Sequence, residues 1–470
     1  MPPTRAFRFF AYPLVTLIAV VGGFFSWRTS VLAATPTVSQ RANQLKILTT
    51  GQTINLFGGK FTGGATVASA DVLGNGQDEF IVGAGPTGGA QVEVYDQDGN
   101  RRGSFFNYDA KMKDGLNVAA GDLTGDGQAE IVVGPQPGHV PVVQIRSVDG
   151  KLLNQFTAFE SSFMGGVNVA VMPARNGQAG EIVVSSGLGR QAEVRVYDQT
   201  GKNLLLSWSP FGTASSNGVS VAAGWSDTFG EPIVVVGAGS GTQPLVKVYG
   251  VNSRQVLAQW LAYGPKVKTG VTVAYRQETV MTGAGPGGGP DVAMFTLRGQ
   301  LMSDQYAFEK NFVGGVSVAA ALINGRVIPV AVPTTQNPTA AGSGKKIVVS
   351  LSRQELWVYE FDRVISIRKI SSGKWSTPTP TGTFQVYNKI PNAYSKPYGL
   401  YMEWWMAFTP DGANGLHALP YWKLKNGGKL YEGAAHIGTP VSHGCIRQTL
   451  VDAKSLYDWT PIGTPVIIQP

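Results

Sequence analysis

The residue best able to form a covalent bond to a substrate is Cys445, the single cysteine of the chain. His443 stands two residues before it, with Gly444 between. A free thiol titrates near ~8.5, so little of it is thiolate at neutral pH unless a neighbour takes the proton. In an extended segment, residues i and i+2 project from one face, so the spacing predicts that His443 lies beside Cys445 as its base. Gly444 carries no side chain. It lets a substrate carbonyl approach the backbone and leaves N–H groups around 443–445 to meet a developing oxyanion. The set suits acyl transfer. The same three residues also fit an inert, buried cysteine beside a satisfied histidine, so the elements around them have to decide.

A chain of 470 residues with 61 glycines, 28 prolines and 14% charged residues is built from turns and strands rather than helical bundles. One cysteine excludes an intrachain disulfide framework and any multi-cysteine metal site. At the N-terminus, Arg5 and Arg8 precede an apolar run from Phe9 to Trp27, and small residues follow at Val31–Ala33. Residues 1–33 therefore read as a hydrophobic helix, either an uncleaved membrane anchor or a cleaved signal peptide. Residues 34–43 form a tether. Positive charge ahead of the run keeps the N-terminus inside and places the rest outside the cytoplasm, in the cell envelope or secreted after cleavage.

Residues 44–333 repeat one pattern. Gly64-Ala-Thr-Val, Gly115-Leu-Asn-Val, Gly166-Val-Asn-Val, Gly218-Val-Ser-Val, Gly270-Val-Thr-Val and Gly315-Val-Ser-Val head six copies at intervals of 51, 51, 52, 52 and 45 residues. Each full copy holds four short strands, which make one propeller blade. Gln44–Lys60 matches the last two strands of a unit and Gly315–Val332 the first two. Joined, they complete a sixth blade and remove the last exposed edge, where an open solenoid would leave it bare. The units resemble FG-GAP or VCBS-type repeats, some of which carry calcium loops. Asp122, Asp126 and Glu130 are the candidate calcium ligands, with a plain Asx-turn as the alternative. Trp208, Trp225 and Trp260 fit either a carbohydrate-stacking surface or packing between blades. Nothing in the repeats names the propeller's ligand.

Residues 334–345 are a small, polar linker, and 346–470 form a second domain. From Lys345 onward there are 14 Lys and Arg against 8 Asp and Glu, so most of the formal charge of +8 sits there. That balance favours an anionic substrate or polymer; no nucleic-acid partner is expected. Four features in order, Leu356-Trp-Val-Tyr359, Thr379-Pro-Thr-Gly-Thr-Phe384, Gly415-Leu-His417 and Ser442-His-Gly-Cys-Ile-Arg447, resemble the L,D-transpeptidase catalytic domain of the YkuD family. Ala418 and Gln448 depart from its usual pattern, and the 25 residues between His417 and His443 suggest an enlarged lid.

The repeats and the resemblance together predict a mostly β chain: a six-bladed propeller, then a small sandwich-like catalytic domain. The resemblance makes Cys445 the nucleophile and His443 its base. His417 would line the cleft, Ser442 would orient His443, Gly444 would contribute to the oxyanion site, and Arg447 would anchor the loop or meet a substrate carboxylate. The substrate would be the stem peptides of peptidoglycan, joined in 3-3 cross-links through a thioester, with no metal or organic cofactor. An L,D-carboxypeptidase, a wall-protein attachment enzyme and a surface adhesion protein worked by its propeller are the other readings. His436, although conspicuous, falls outside the family's positions and reads as an exposed loop residue. Thr449-Leu-Val-Asp452 has the spacing of a helix cap and predicts a short helix bracing the motif.

Overall fold

The computed structural model describes residues 43–470 apart from 60, 62, 110–111, 213–216, 335–344 and 361–362. The leader or anchor expected over 1–33 lies outside the described residues, as do most of the tether 34–43 and of the linker 334–345. Among the described residues no helix is long and apolar enough to cross a membrane. The chain is mostly β.

Residues 44–333 form six four-stranded antiparallel sheets. Five are made of consecutive strands. The sixth joins the two ends of the region, in the order Thr53–Asn55, Gln44–Ile47, Arg326–Pro333, Val316–Ile323, with Lys46 opposite Ala331 and Ile47 opposite Val330. Adjacent sheets pack through their first strands: Ala65–Ala70 on Leu116–Gly121, then Val167–Met172, Val219–Ser226, Val271–Arg276 and Val316–Ile323, which returns to Ala65–Ala70. The apolar clusters lie between sheets; one unites Leu45, Val330 and Val332 with Val67, Phe80 and Val82.

This packing explains the repeat heads. Gly115 has φ of 91°, and a Cβ there would stand 2.9 Å from backbone atoms of Gly85 and Pro86 in the preceding sheet; at Gly315, φ is 78° and the approach to Pro286 N is 2.5 Å. Only glycine fits both demands. The polar residue two places on hooks its strand to the next sheet: Thr66 Oγ1 donates to Leu116 O (2.9 Å), Asn117 Nδ2 to Val167 O (2.9 Å), Asn168 Nδ2 to Val219 O (2.7 Å) and Thr272 Oγ1 to Val316 O (2.8 Å). Trp208 lies against Tyr249, Trp260 against Phe295, and Trp225 donates its N–H to Pro173 O, so all three pack within the array.

The C-terminal region has two sheets. A five-stranded sheet runs Arg363–Lys369, Glu355–Glu360, Lys345–Ser350, Pro465–Gln469, Gly382–Gln385; its third and fourth strands are parallel, so the last strand of the chain closes on the first of the region. A six-stranded sheet runs Lys429–Tyr431, Tyr421–Lys423, Leu400–Ala407, Gly415–Ala418, Ile446–Gln448, with Asn388–Ser395 also paired to Leu400–Ala407. Ile347, Val349, Leu356 and Val358 of the first sheet meet Met406, Leu416 and Ile446 of the second in one apolar core. Helix Leu450–Trp459 follows the motif, and Thr449 caps it by accepting the Asp452 N–H at 3.1 Å.

Candidate active site

Strand alternation assembles the site. Gly415–Ala418 and Ile446–Gln448 are parallel neighbours, with Leu416 opposite Ile446 and His417 opposite Arg447. Leu416 and Ile446 point into the core. Their neighbours therefore point to the other face, which places His417 and Arg447 together and brings Cys445, one residue before the strand, to Gly415. The electrostatics agree: the Arg447 charge acts on both the His417 imidazole and the Cys445 thiol.

Burial pushes the Cys445 thiol up, and the Gly415 backbone hydrogen bond and the Arg447 charge draw it back only in part. The resting nucleophile is a thiol, and chemistry requires a base. His417 is buried and stacks on Trp405, with ring centroids 5.6 Å apart and an interplanar angle of 26°. Its Nδ1 meets Ala418 O at 2.6 Å, so Nδ1 carries the proton and Nε2 is left as the acceptor. Burial, reinforced by Arg447 and opposed by the Ala418 carbonyl, drives its pKa down to about 3. The imidazole is neutral throughout the physiological range.

That shift has a consequence for stability. Unfolded histidine titrates near ~6.5, so the depressed value gives stability that is complete above that pH and is lost as pH falls toward 3. Replacing His417 with Asn is expected to flatten the decline of C-terminal domain stability between pH 7 and 4.5 by about 2 kcal/mol, read by denaturant unfolding at the two pH values. Parallel declines in both proteins would refute it.

The loop before Cys445 differs from the extended segment expected. Gly444 has φ of 104°, and the strand begins only at Ile446. The i, i+2 argument therefore does not apply: His443 is exposed, its ring is 5.0 Å from that of Tyr398, and it makes no hydrogen bond to Cys445. Ser442 is fully buried, and its hydroxyl donates to Cys445 O (2.6 Å) and accepts from Gly444 N (3.2 Å). It fixes the backbone of the loop rather than the His443 ring. The Thr379 turn supports this from below: Thr379 Oγ1 accepts Gly373 N at 2.8 Å, while Lys374 N (3.0 Å) and Thr377 Oγ1 (3.1 Å) both donate to Ser442 O.

Arg447 Nη1 lies 3.0 and 2.8 Å from the two oxygens of Glu432, on the segment between the histidines, and Glu432 also meets His436 Nδ1 at 3.2 Å. Arg447 thus anchors that segment, and His436 lies at the anchor's outer side. Glu432, Trp405 and Tyr398 were not singled out by sequence. Each is an isolated residue whose role comes from strand pairing or loop closure, and no spacing marks it. At the calcium candidate, Asp122 accepts from the N–H groups of Thr124, Gly125 and Gly127, Asp126 from Gln128, and Glu130 from Leu123. Those bonds are the Asx-turn alternative, and among the described residues no three His, Cys, Asp or Glu side chains are grouped to hold a metal.

A lone thiol, a neutral buried imidazole and an anchored guanidinium on one face of a β-sheet make a candidate cysteine-centred catalytic domain. Comparison with known proteins gives the class a family. Residues 344–468 match YkuD, the L,D-transpeptidase catalytic domain. The putative L,D-transpeptidase YkuD of Bacillus licheniformis is 32% identical over 139 residues, which are 30% of this chain and 73% of that protein. The putative L,D-transpeptidase YciB of Bacillus subtilis is 33% identical over 127 residues, 26% of this chain and 64% of that protein. A crystal structure of an L,D-transpeptidase from Stackebrandtia nassauensis shares 25% identity, covering 28% of this chain and 58% of that one, with a TM-score of 0.23. The chain belongs to the YkuD family of L,D-transpeptidase catalytic domains.

Proposed function

We propose that the protein is a peptidoglycan L,D-transpeptidase that forms 3-3 cross-links through a thioester on Cys445. The observation that carries this reading is the presentation of Cys445, His417 and Arg447 on one sheet face, within a domain of that family. His417, neutral with Nε2 left as the acceptor, takes the thiol proton in place of the His443 expected from spacing, as the Cys445 sulfur attacks the carbonyl of the third stem residue. The bond to the terminal D-alanine breaks, and the same proton goes to the leaving amine. An amine of a neighbouring stem then attacks the thioester and gives up a proton through the same base to the departing sulfur, which returns as the thiol. Water in place of that amine gives L,D-carboxypeptidase release. Gly444 N is already bonded to Ser442 Oγ, so the N–H groups of His443 and Cys445 hold the oxyanion.

We read residues 44–333 as a six-bladed propeller closed by its terminal strands, a reading supported by the shared sheet and the return of contacts to Ala65–Ala70. It serves as a binding or spacing module that holds the catalytic domain away from the membrane, to which residues 1–33 tether it in the cell envelope. The test of the catalytic reading is mass spectrometry of the purified protein after incubation with a carbapenem. One adduct on the peptide containing Cys445 is expected; an unmodified cysteine would remove the support for an acyl-enzyme.

A further inference from the structure

The catalytic sheet carries a second feature on the same face as Cys445. Tyr394 is paired with Tyr401, Tyr401 with Tyr421, and Tyr421 with Tyr431, so four adjoining strands each place a tyrosine on one rung. The rings touch in sequence, with centroids 4.8, 5.3 and 5.3 Å apart, and the central pair is stacked at 18°. The row is not core packing: the apolar core lies on the opposite face, through Met406, Leu416 and Ile446. Along the Leu400–Ala407 strand the alternation runs Tyr401, Glu403, Trp405, and Trp405 stacks on His417. The row and the thiol therefore share one surface.

The row is held rigid. Tyr421 is fully buried among its neighbours, and its hydroxyl accepts from Asn392 Nδ2 at 2.9 Å. Tyr431 donates to Glu403 at 2.7 Å, and Glu403 also binds Lys429 at 2.8 Å. Lys423 lies over the Tyr401 ring and Lys429 over that of Tyr421, 4.4 and 4.7 Å from their centroids. The two ends remain open, with Tyr394 56% exposed and Tyr431 37%.

We propose that this tyrosine row is a saccharide-binding platform that holds the glycan backbone of the strand whose stem peptide is acylated at Cys445. It rests on the reading that the substrate is peptidoglycan. Pyranose rings offer flat C–H faces to the open end rings, Tyr394 and Tyr431, and a rim of hydroxyl and N-acyl groups to polar partners along the row, here Asn392, Glu403 and the tyrosine hydroxyls. The flanking lysines add hydrogen-bond donors that favour a polar, hydroxyl-bearing chain over an apolar protein surface. The reach also agrees. Cys445 lies against Gly415, which pairs with Ala407, and Tyr401 is six residues back along that strand, about 20 Å at ~3.3 Å per residue. An extended stem of three residues spans roughly 10 Å of this, leaving room for its link to the sugar and for the first ring.

The probe is chitohexaose, a saccharide chain that carries no stem peptide, titrated into the full chain by calorimetry. Binding is expected, with Kd raised roughly tenfold or more in the Tyr394→Ala/Tyr431→Ala double variant and retained in the Tyr394→Phe/Tyr431→Phe variant, which keeps the rings and controls for misfolding. No binding by the unaltered protein, or equal binding in the alanine variant, overturns the platform. D-alanine release from free stem peptides without saccharide binding removes the platform alone. Saccharide binding lost on removal of the rings, in a protein that releases no D-alanine from any substrate, upholds the platform and removes the transpeptidase reading instead.

Discussion

Replacing Cys445 with alanine is expected to abolish D-alanine release from tetrapeptide stems, a loss on the order of 10³-fold or more. The physical reason is that nothing else in the candidate site can form the covalent intermediate. Cys445 is the only thiol, His417 is a buried neutral imidazole with Nδ1 committed to Ala418, and the Ser442 hydroxyl is committed to the backbone of its own loop. The substitution should leave the fold intact. Cys445 lies on the sheet face and outside the packed apolar core, so unfolding stability should change by no more than about 1 kcal/mol. The measurement is single-turnover release followed by mass spectrometry of the muropeptides, beside an unfolding curve. Turnover retained by the alanine variant would sink the covalent reading, whereas loss of both turnover and stability would mean that Cys445 had been chiefly structural.

Some of this was legible from residues alone because it depends on local rules. The period of about 51 residues, the Gly-x-polar-Val heads and the matching half-units at the two ends carried the expectation of six four-stranded units, since each unit repeats its turn chemistry in sequence. Thr449 announced its helix by cap spacing. His417 and Arg447 came from the family resemblance, and the structure brings them together with Cys445 through strand pairing. What failed was the geometry of His443. The expectation assumed extended backbone through Gly444, and the residue chosen to free the backbone is the one that turns it, with φ of 104°. The partners that hold the site, Glu432 on Arg447 and Trp405 on His417, lie 15 and 12 residues away along the chain and are joined by pairing across strands. No sequence period encodes such contacts. The tyrosine row was invisible for the same reason: its members lie on four strands separated by turns of different length, and only the register aligns them.

Gly444→Ala is expected to be the most damaging substitution that leaves every reactive atom in place. A φ of 104° lies beyond the left-handed region that non-glycine residues tolerate, and holding alanine there costs about 1–3 kcal/mol. A Cβ at this position would also stand 2.4 Å from Asn414 Oδ1. The two effects are separable, because Asn414 is the end of a side chain that can rotate away while the backbone angle cannot be relieved without moving the loop. Moving the loop displaces the Cys445 sulfur and the N–H groups of His443 and Cys445, and loss of one well-aimed oxyanion donor alone costs on the order of 10²-fold in rate. The expected result is D-alanine release reduced by about that factor in Gly444→Ala. It should not be restored by adding Asn414→Ala, and Cys445 should remain alkylatable by iodoacetamide in both variants. Restoration in the double variant would show that crowding by Asn414, rather than the backbone angle, is why the loop requires glycine.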